Sequence, residues 1–282
     1  MTGKVDILEG STPESGGDGY DIPFDVVPLP SEGKLYGEDH PLYGESDIKI
    51  KAMTTVEEDI LTSKALIRKG EVVDELLKSC IVNKSVDPAE LLVGDKSAVL
   101  LAVRISGFGV DYRMKTTCPE CDTTFEHDFN LSSCRVHKLA VEPISPGKNL
   151  FKFVLPKTKR EVLFKLLTAG DEADVAKTQE ARRKALKKAT GRVSEVDTNV
   201  SDRLTKCIVQ IGKEKDKGKI ATLVKQMPAL DARALRQYIN EIEPDMTMVE
   251  EVKCPHCGSI EEHDIPMGIE FLWPKRRKSV RD

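Results

Sequence analysis

Residues 118–129 read CPECDTTFEHDF, and residues 254–265 read CPHCGSIEEHDI. The two stretches share one frame: Cys-Pro-x-Cys, four further residues, then Glu-His-Asp and an apolar residue. Two thiolates spaced as C-x-x-C can hold one metal ion from a single tight turn, and Zn²⁺ favours four such ligands in a tetrahedron. Each stretch therefore supplies half of a site, and the repeat predicts that two distant turns meet around one ion.

The predicted ligands of this structural Zn²⁺ are Cys118, Cys121, Cys254 and Cys257. The residues on either side of each pair have the character of strands, so we expect each pair to lie in the turn of a β-hairpin. Together the two hairpins would form a four-cysteine zinc ribbon. Such a site would tie together distant parts of the chain and leave no open coordination position for catalysis.

Other uses of the repeat stay open. His127 and His263 occupy equivalent positions, so each could join its own cysteine pair, although each such site would lack a fourth protein ligand. An iron–sulfur cluster could use the same four thiolates, and the cysteines could also hold no metal. A redox role needs a helix N-terminus that lowers the thiol pKa, whereas turn-forming Asp122 and Gly258 follow the pairs here.

The composition predicts a soluble, helix-rich protein. Charged residues make up 32% of the 282 residues, aromatic residues make up 5%, and the net charge is −4, which gives no overall electrostatic case for nucleic-acid binding. No apolar run approaches the roughly 20 residues that span a bilayer, and the N-terminus lacks a signal pattern, so we expect no membrane association and a cytoplasmic location. No phosphate loop, HExxH motif or nucleophile elbow is present, so we expect no enzymatic activity.

The predicted fold class is α+β, with a mainly helical body, the zinc ribbon and a small β-hairpin insertion. The expected parts are an extended N-terminal arm (1–47), a helical domain (48–117), two ribbon halves (118–134 and 246–274), a hairpin-plus-helical insertion (135–245) and a basic C-terminal tail (275–282). Of the three remaining cysteines, Cys80 and Cys207 lie on apolar helix faces and are expected to be core residues.

Capping and turn signals place the helices. We predict a helix from the capping box of Thr54 and Glu57 to a stop at Gly70, followed by a helix over 71–81. Asp87-Pro88 predicts the start of another helix, and the mainly apolar segment 96–107 predicts a central one. Further helices are expected over 168–190, 199–212 and 219–227, and from an N-cap at Asp231. Residues 149–168 predict the β-hairpin, with a turn near 157–160.

Two apolar groups near the ends of the chain are candidates for contacts with partners. The extended arm carries Phe24, Tyr36 and Tyr43, and the C-terminal segment carries Phe271, Leu272 and Trp273. Exposed apolar clusters usually mark interfaces. The alternative is that the C-terminal group covers the ribbon, and that the arm orders against its own domain.

Several segments in order resemble a known family. They are LPSEGKLYG (29–37), KAMTTVEEDIL (51–61), LIRKGEVVDELLKSCIV (66–82), ELLVGDKSAVLLAVRISGFGVDY (90–112) leading into TTCPEC, and CPHCG followed by FLWP at 271–274. This ordered set is similar to the T4-like phage baseplate hub assembly protein family, over most of residues 23–274.

The resemblance implies a structural or assembly protein of a tailed bacteriophage that contacts other tail or baseplate proteins. A hub component and an assembly chaperone are both compatible with it, as is a homo-oligomer. The implied location is the host cytoplasm during assembly and the tail baseplate of the virion. The rival interpretation is a zinc-ribbon module that binds nucleic acid. The acidic residues Glu126, Asp128, Glu261, Glu262 and Asp264 disfavour it, because they repel phosphate.

Overall fold

A computed structural model describes residues 23–190 and 198–272. Within these ranges the chain is a mixed α/β protein in which helices pack with several small antiparallel sheets. Buried apolar side chains from nearly all of these elements belong to one continuous core. None of the described helices combines the length and the apolar character that crossing a membrane requires.

The N-terminal segment is part of this core. Strand β1 (Phe24–Pro28) pairs antiparallel with β2 (Asp47–Lys51), and the loop between them buries Leu29, Leu35 and Leu42. Residues 23–47 therefore pack against their own chain rather than extending away from it.

Four helices follow: α1 (Thr55–Thr62), α2 (Lys64–Lys69), α3 (Val72–Cys80) and α4 (Val93–Phe108). The capping box of Thr54 and Glu57 is present, and Gly70 ends α2 in a left-handed conformation. The single helix predicted over 54–70 is wrong in one respect, because the chain breaks at Ser63, whose side chain caps α2.

Helix α4 is central, as predicted, because residues from Ala98 to Arg104 are buried on every side of it. The helix predicted to start at Pro88 is instead a turn. At the start of α4 a Cβ on Gly94 would lie 2.0 Å from the carbonyl oxygen of Pro244, so only glycine permits this close approach.

The middle of the chain forms two β-hairpins and a long helix. Strands β3 (Asp111–Thr117) and β4 (Thr124–Asn130) pair antiparallel, and β5 (Arg135–His137) follows. The predicted hairpin is present as β6 (Phe151–Val154) and β7 (Glu161–Phe164), and helix α5 (Ala169–Thr190) leads away from it with a largely exposed surface.

The remaining elements are α6 (Asn199–Cys207), β8 (Ile208–Ile211), α7 (Lys217–Lys225), α8 (Ala229–Ile242), β9 (Asp245–Thr247), β10 (Val249–Lys253), β11 (Ile260–Asp264) and α9 (Ile269–Leu272). The helix predicted over 199–212 is wrong beyond Cys207, because residues 208–211 pair with β7 as a third strand. Strand β5 pairs with β9, so the two ends of segment 135–245 lie side by side.

Candidate metal centre

The two CPxC segments form matching turns at the ends of two hairpins. Cys118 follows β3 directly, and Cys254 follows β10 directly. In the first turn the Cys118 amide donates to the Thr123 carbonyl at 3.0 Å, and the Asp122 amide donates to the Cys118 carbonyl at 2.9 Å. The second turn repeats both bonds between Cys254, Ser259 and Gly258, at 2.8 and 3.0 Å.

The residue after each second cysteine has a left-handed backbone. Asp122 has φ of 55° and Gly258 has φ of 77°. Asp and Gly are among the residues that tolerate this region best, which explains the turn-forming residues seen at this point of the sequence. The tight turn aims both sulfurs of each pair to the same side.

The four predicted ligands meet in one place. Their sulfur atoms all lie within 4.8 Å of one another. The Cys118 and Cys257 sulfurs are 3.7 Å apart, and so are those of Cys121 and Cys254. Within residues 23–190 and 198–272, this is the group of His, Cys, Asp or Glu side chains that could hold a metal ion.

These separations fit a single tetrahedral ion. With Zn–S bonds of about 2.3 Å, the sulfurs at the corners of a tetrahedron lie about 3.8 Å apart. A disulfide would need sulfurs about 2.05 Å apart, so the distances do not describe cross-linked pairs. A cluster of several irons would need to lie between the sulfurs and to spread them further apart.

Hydrogen bonds around the sulfurs favour thiolates. The backbone amides of Cys257 and His256 lower the pKa of Cys254 to about 6. The hydroxyl and the backbone amide of Thr123 lower the pKa of Cys121. Two of the four donors, one from each hairpin, are therefore prepared for binding a cation.

The thiol of Cys257, unlike those of Cys121 and Cys254, has a raised pKa. The Ser259 amide favours the Cys257 thiolate, but desolvation and the neighbouring sulfurs outweigh this bond and raise the pKa of Cys257 to about 12. Four negative sulfurs at these distances repel one another. A bound cation offsets this repulsion by its positive charge, and its coordinating thiols are therefore deprotonated. The donor set thus fits a soft divalent metal ion.

The two histidines of the repeated frame are contacts between the hairpins. His263 Nδ1 on β11 lies 2.8 Å from the Thr116 hydroxyl on β3, and His127 Nε2 on β4 lies 3.8 Å from a Glu250 carboxylate oxygen on β10. Each histidine thus contacts the other hairpin, and neither belongs to the sulfur cluster. The alternative of two separate sites, each with one histidine, does not match this arrangement.

The residues predicted to contact partners divide into two groups. Tyr36, Phe271 and Leu272 are buried within the chain, whereas Phe24 is half-buried and Tyr43 is 41% exposed. The Tyr36 hydroxyl donates to Asp95 at 2.6 Å. Trp273 lies outside the described residues, as does the basic tail.

Phe271 lies against the base of the first hairpin. Its ring packs edge-on to that of Tyr112 on β3, with 5.2 Å between the ring centroids. Its carbonyl oxygen accepts a hydrogen bond from Arg104 Nε at 2.8 Å. Phe271 thus matches the alternative in which the C-terminal apolar group covers the hairpins, and Leu272 beside it is also buried.

The other three cysteines are not part of the site. Cys80, Cys134 and Cys207 are buried, and burial raises their pKa values, to about 12 for Cys80 and Cys207 and about 11 for Cys134. The prediction that Cys80 and Cys207 are core residues is confirmed.

Comparison with known protein families shows which family this chain belongs to. The family model described as T4 bacteriophage base plate protein matches residues 25–273. The chain belongs to this family. The resemblance seen in the sequence is thereby confirmed, and a structural role in a phage follows from it.

No match is found among curated proteins or among solved structures. Membership of the baseplate family is thus the finding that fixes the biological context, and the four-cysteine cluster is the chemical feature that the geometry adds. Sequence patterns missed the contacts of Thr116 and Glu250 with the histidines, because only the packing of the hairpins brings those residues together.

Proposed function

We propose that this chain is a structural or assembly protein of a phage tail baseplate that acts through protein–protein contacts and is held together by one structural Zn²⁺. Membership of the baseplate family supports the first part of this proposal. The clustering of Cys118, Cys121, Cys254 and Cys257 is the observation that supports the second.

The zinc would join the two hairpins into a four-cysteine ribbon. Four thiolates fill a tetrahedral coordination shell, so no position is left for a substrate or a reactive water. The metal's role would be to fix the relative position of β3–β4 and β10–β11, and with it the two ends of segment 135–245. This supports a structural protein rather than an enzyme.

Metal analysis tests the proposed site. Protein purified without added metal should contain one zinc ion per chain, measured by plasma mass spectrometry against protein concentration. Two ions per chain would contradict a shared site. A single iron in place of zinc would keep the geometry and overturn the identity of the ion.

Particle analysis tests the role in the baseplate. We expect peptides of this chain in assembly intermediates isolated from infected cells. Quantitative mass spectrometry of purified virions then separates a lasting hub component, which stays at a fixed copy number, from an assembly chaperone, which is missing. Absence from both fractions would contradict the proposal as a whole.

Binding to nucleic acid is not part of this proposal. The exposed faces of both hairpins carry carboxylates, including Glu126, Glu251 and Glu262, which repel phosphate. We expect no measurable affinity for duplex or single-stranded DNA in a titration at about 0.1 M salt, and strong salt-dependent binding would favour the nucleic-acid interpretation instead.

A further inference from the structure

The two hairpins are built on the same repeated sequence pattern, so residues at equivalent positions of the two can be compared directly. On the outer face of the first hairpin, cations lie opposite anions: Arg113 is opposite Asp128, and Lys115 is opposite Glu126. Arg113 and Asp128 also form an ion pair. This arrangement is the favourable one for directly opposed strand residues.

The second hairpin lacks both of these cations. Val249 replaces the arginine and faces Asp264, and Glu251 replaces the lysine and faces Glu262. Like charges placed directly opposite each other destabilise a strand pair. Glu251, Glu262 and Asp264 are exposed and make no ion pair within residues 23–190 and 198–272.

An exposed apolar side chain lies on the same face. Ile260 is 61% exposed and occupies the position that Thr124 holds in the first hairpin. Its cross-strand neighbour at the tip is Lys253. The second hairpin therefore presents one exposed β-branched apolar residue next to three carboxylates, two of which, Glu251 and Glu262, are a directly opposed like-charge pair that costs stability in the isolated chain.

A surface of opposite character lies elsewhere on the chain, where the turn between β6 and β7 meets the end of α7. A cleft of about 240 Å³ is lined there by five apolar residues, two uncharged polar residues and one cation: Leu155, Ile211, Leu223, Met227, Pro228, Thr158, Gln226 and Arg160. An apolar cavity of about 150 Å³ holds a benzene ring, so this cleft has room for one branched aliphatic side chain.

One exposed cation lines the cleft, and two more are sequence neighbours of its lining residues. Lys159 and Arg160 lie in its turn and Lys225 is next to its lining residue Gln226, and all three side chains are exposed. None of the three forms an ion pair with any residue that the structure describes. The nearby carboxylate of Asp231 is buried and accepts hydrogen bonds from the backbone amides of Lys157 and Thr158.

We propose that the two surfaces bind each other between copies of this chain. Ile260 of one copy would occupy the apolar cleft of the next, and Glu251, Glu262 and Asp264 would face Lys159, Arg160 and Lys225. The argument for a second copy as the occupant is charge complementarity, since each surface carries the charges that the other leaves uncompensated. Different surfaces meet in this contact, so it is heterologous and adds copies head to tail.

This inference does not depend on the proposed function, because it concerns the purified chain alone. Sedimentation velocity of the full-length protein over a range of concentrations should show a weight-average mass that rises with concentration. Raising the salt concentration should reduce the association, because exposed charges are screened. A single monomeric species at all concentrations up to about 0.1 mM would overturn the proposal.

Three variants distinguish the surfaces. Glu251→Lys restores the cation found in the first hairpin, so it should stabilise the hairpin while weakening self-association at least about tenfold. Lys159→Glu combined with Arg160→Glu reverses the charge at the cleft and should also weaken self-association. Ile260→Thr copies the first hairpin and should weaken association without unfolding the protein.

Mixing the two charge variants gives the decisive result. Each keeps one intact surface, so an equimolar mixture should associate through the unaltered hairpin of one variant and the unaltered cleft of the other, and more strongly than either variant does alone. Association of Glu251→Lys that equals that of the unchanged protein would overturn the proposal. So would a mixture that stays monomeric while thermal unfolding shows both variants folded.

Discussion

At the scale of single residues, the four-cysteine cluster depends on a backbone conformation as well as on its sulfurs. Gly258 has a left-handed φ of 77°, and a Cβ built there would meet nothing within 4 Å. Replacing it with alanine therefore adds backbone strain without a steric clash. The strain of a non-glycine residue in this region is about 1–2 kcal/mol.

We expect Gly258→Ala to lower the free energy of unfolding by about 1 kcal/mol, measured by denaturant titration. Gly268 provides the matched control, because it also has open space at its Cβ but has no left-handed φ. Gly268→Ala should cost nothing. Equal losses in both variants would show that the turn conformation is not the cause.

Glu243 predicts a pH dependence of stability. Burial raises the pKa of this carboxyl to about 7, and the nearby Asp245 acts in the same direction. Glu243 also ends α8, where the helix dipole disfavours a negative charge. The folded protein holds this proton more tightly than the unfolded chain, so the penalty from Glu243 appears as the pH rises from about 4.5 to 7.

We therefore expect Glu243→Gln to be more stable than the unchanged protein at pH 8, by up to about 3 kcal/mol, and to lose this advantage near pH 4.5. Denaturant titrations of both proteins at several pH values measure the difference. A difference that does not vary with pH would contradict the raised pKa.

At the scale of elements, the two hairpins are each too short to be stable in isolation, since a two-stranded hairpin is marginal in water. The contacts of His127 and His263 and the four sulfurs join them into one unit. Removing one metal ligand should therefore loosen both hairpins together rather than the altered one alone.

Cys121→Ser should reduce the metal content from one ion per chain to about none and lower the melting temperature, because structural metal binding contributes to folding. Cys207→Ala is the control, since it shortens a buried side chain of the core and leaves all four ligands in place. That variant should be less stable but retain its metal. Full metal content in Cys121→Ser would contradict the proposed ligand set.

Sequence patterns anticipated the elements whose signals are local. The CPxC spacing placed the two turns, the capping box of Thr54 placed α1, and the alternation around residues 151–164 placed a hairpin. They were wrong where tertiary pairing decides: Ile208 and Ile211 fit the apolar face of a helix, yet they pair with β7 as a strand. Asp231 looked like an N-cap, but its carboxylate binds the amides of a distant turn.

At the scale of the whole molecule, Arg104 joins three parts of the chain. Its guanidinium donates to the carbonyl oxygens of Phe271, Gly109 and Asp111 at 2.8, 2.8 and 2.9 Å. It is 1% exposed and lies beside the rings of Phe108 and Tyr112. The end of α4, the start of β3 and α9 are thus held by one side chain.

Arg104→Lys should lower the free energy of unfolding by about 3 kcal/mol, because an ammonium lacks the planar fork that reaches three carbonyls and leaves buried acceptors unpaired. Limited proteolysis should also cut sooner near residue 272 in this variant. Arg113→Lys is the control, since Arg113 is an exposed arginine on β3. Equal effects of the two substitutions would contradict the anchoring role of Arg104.

The four-cysteine cluster, as a proposed shared metal site, also has a consequence for the timing of synthesis. The proposed ligands come from residues 118–121 and 254–257, so the ribosome must add the 132 residues between Cys121 and Cys254 before the second pair of sulfurs is made. Until then the first pair is an open chelate with two sulfurs, able to exchange metal with its surroundings. Contacts this distant in sequence also slow folding. During synthesis the first hairpin would therefore have to form before the full set of four ligands is available to it.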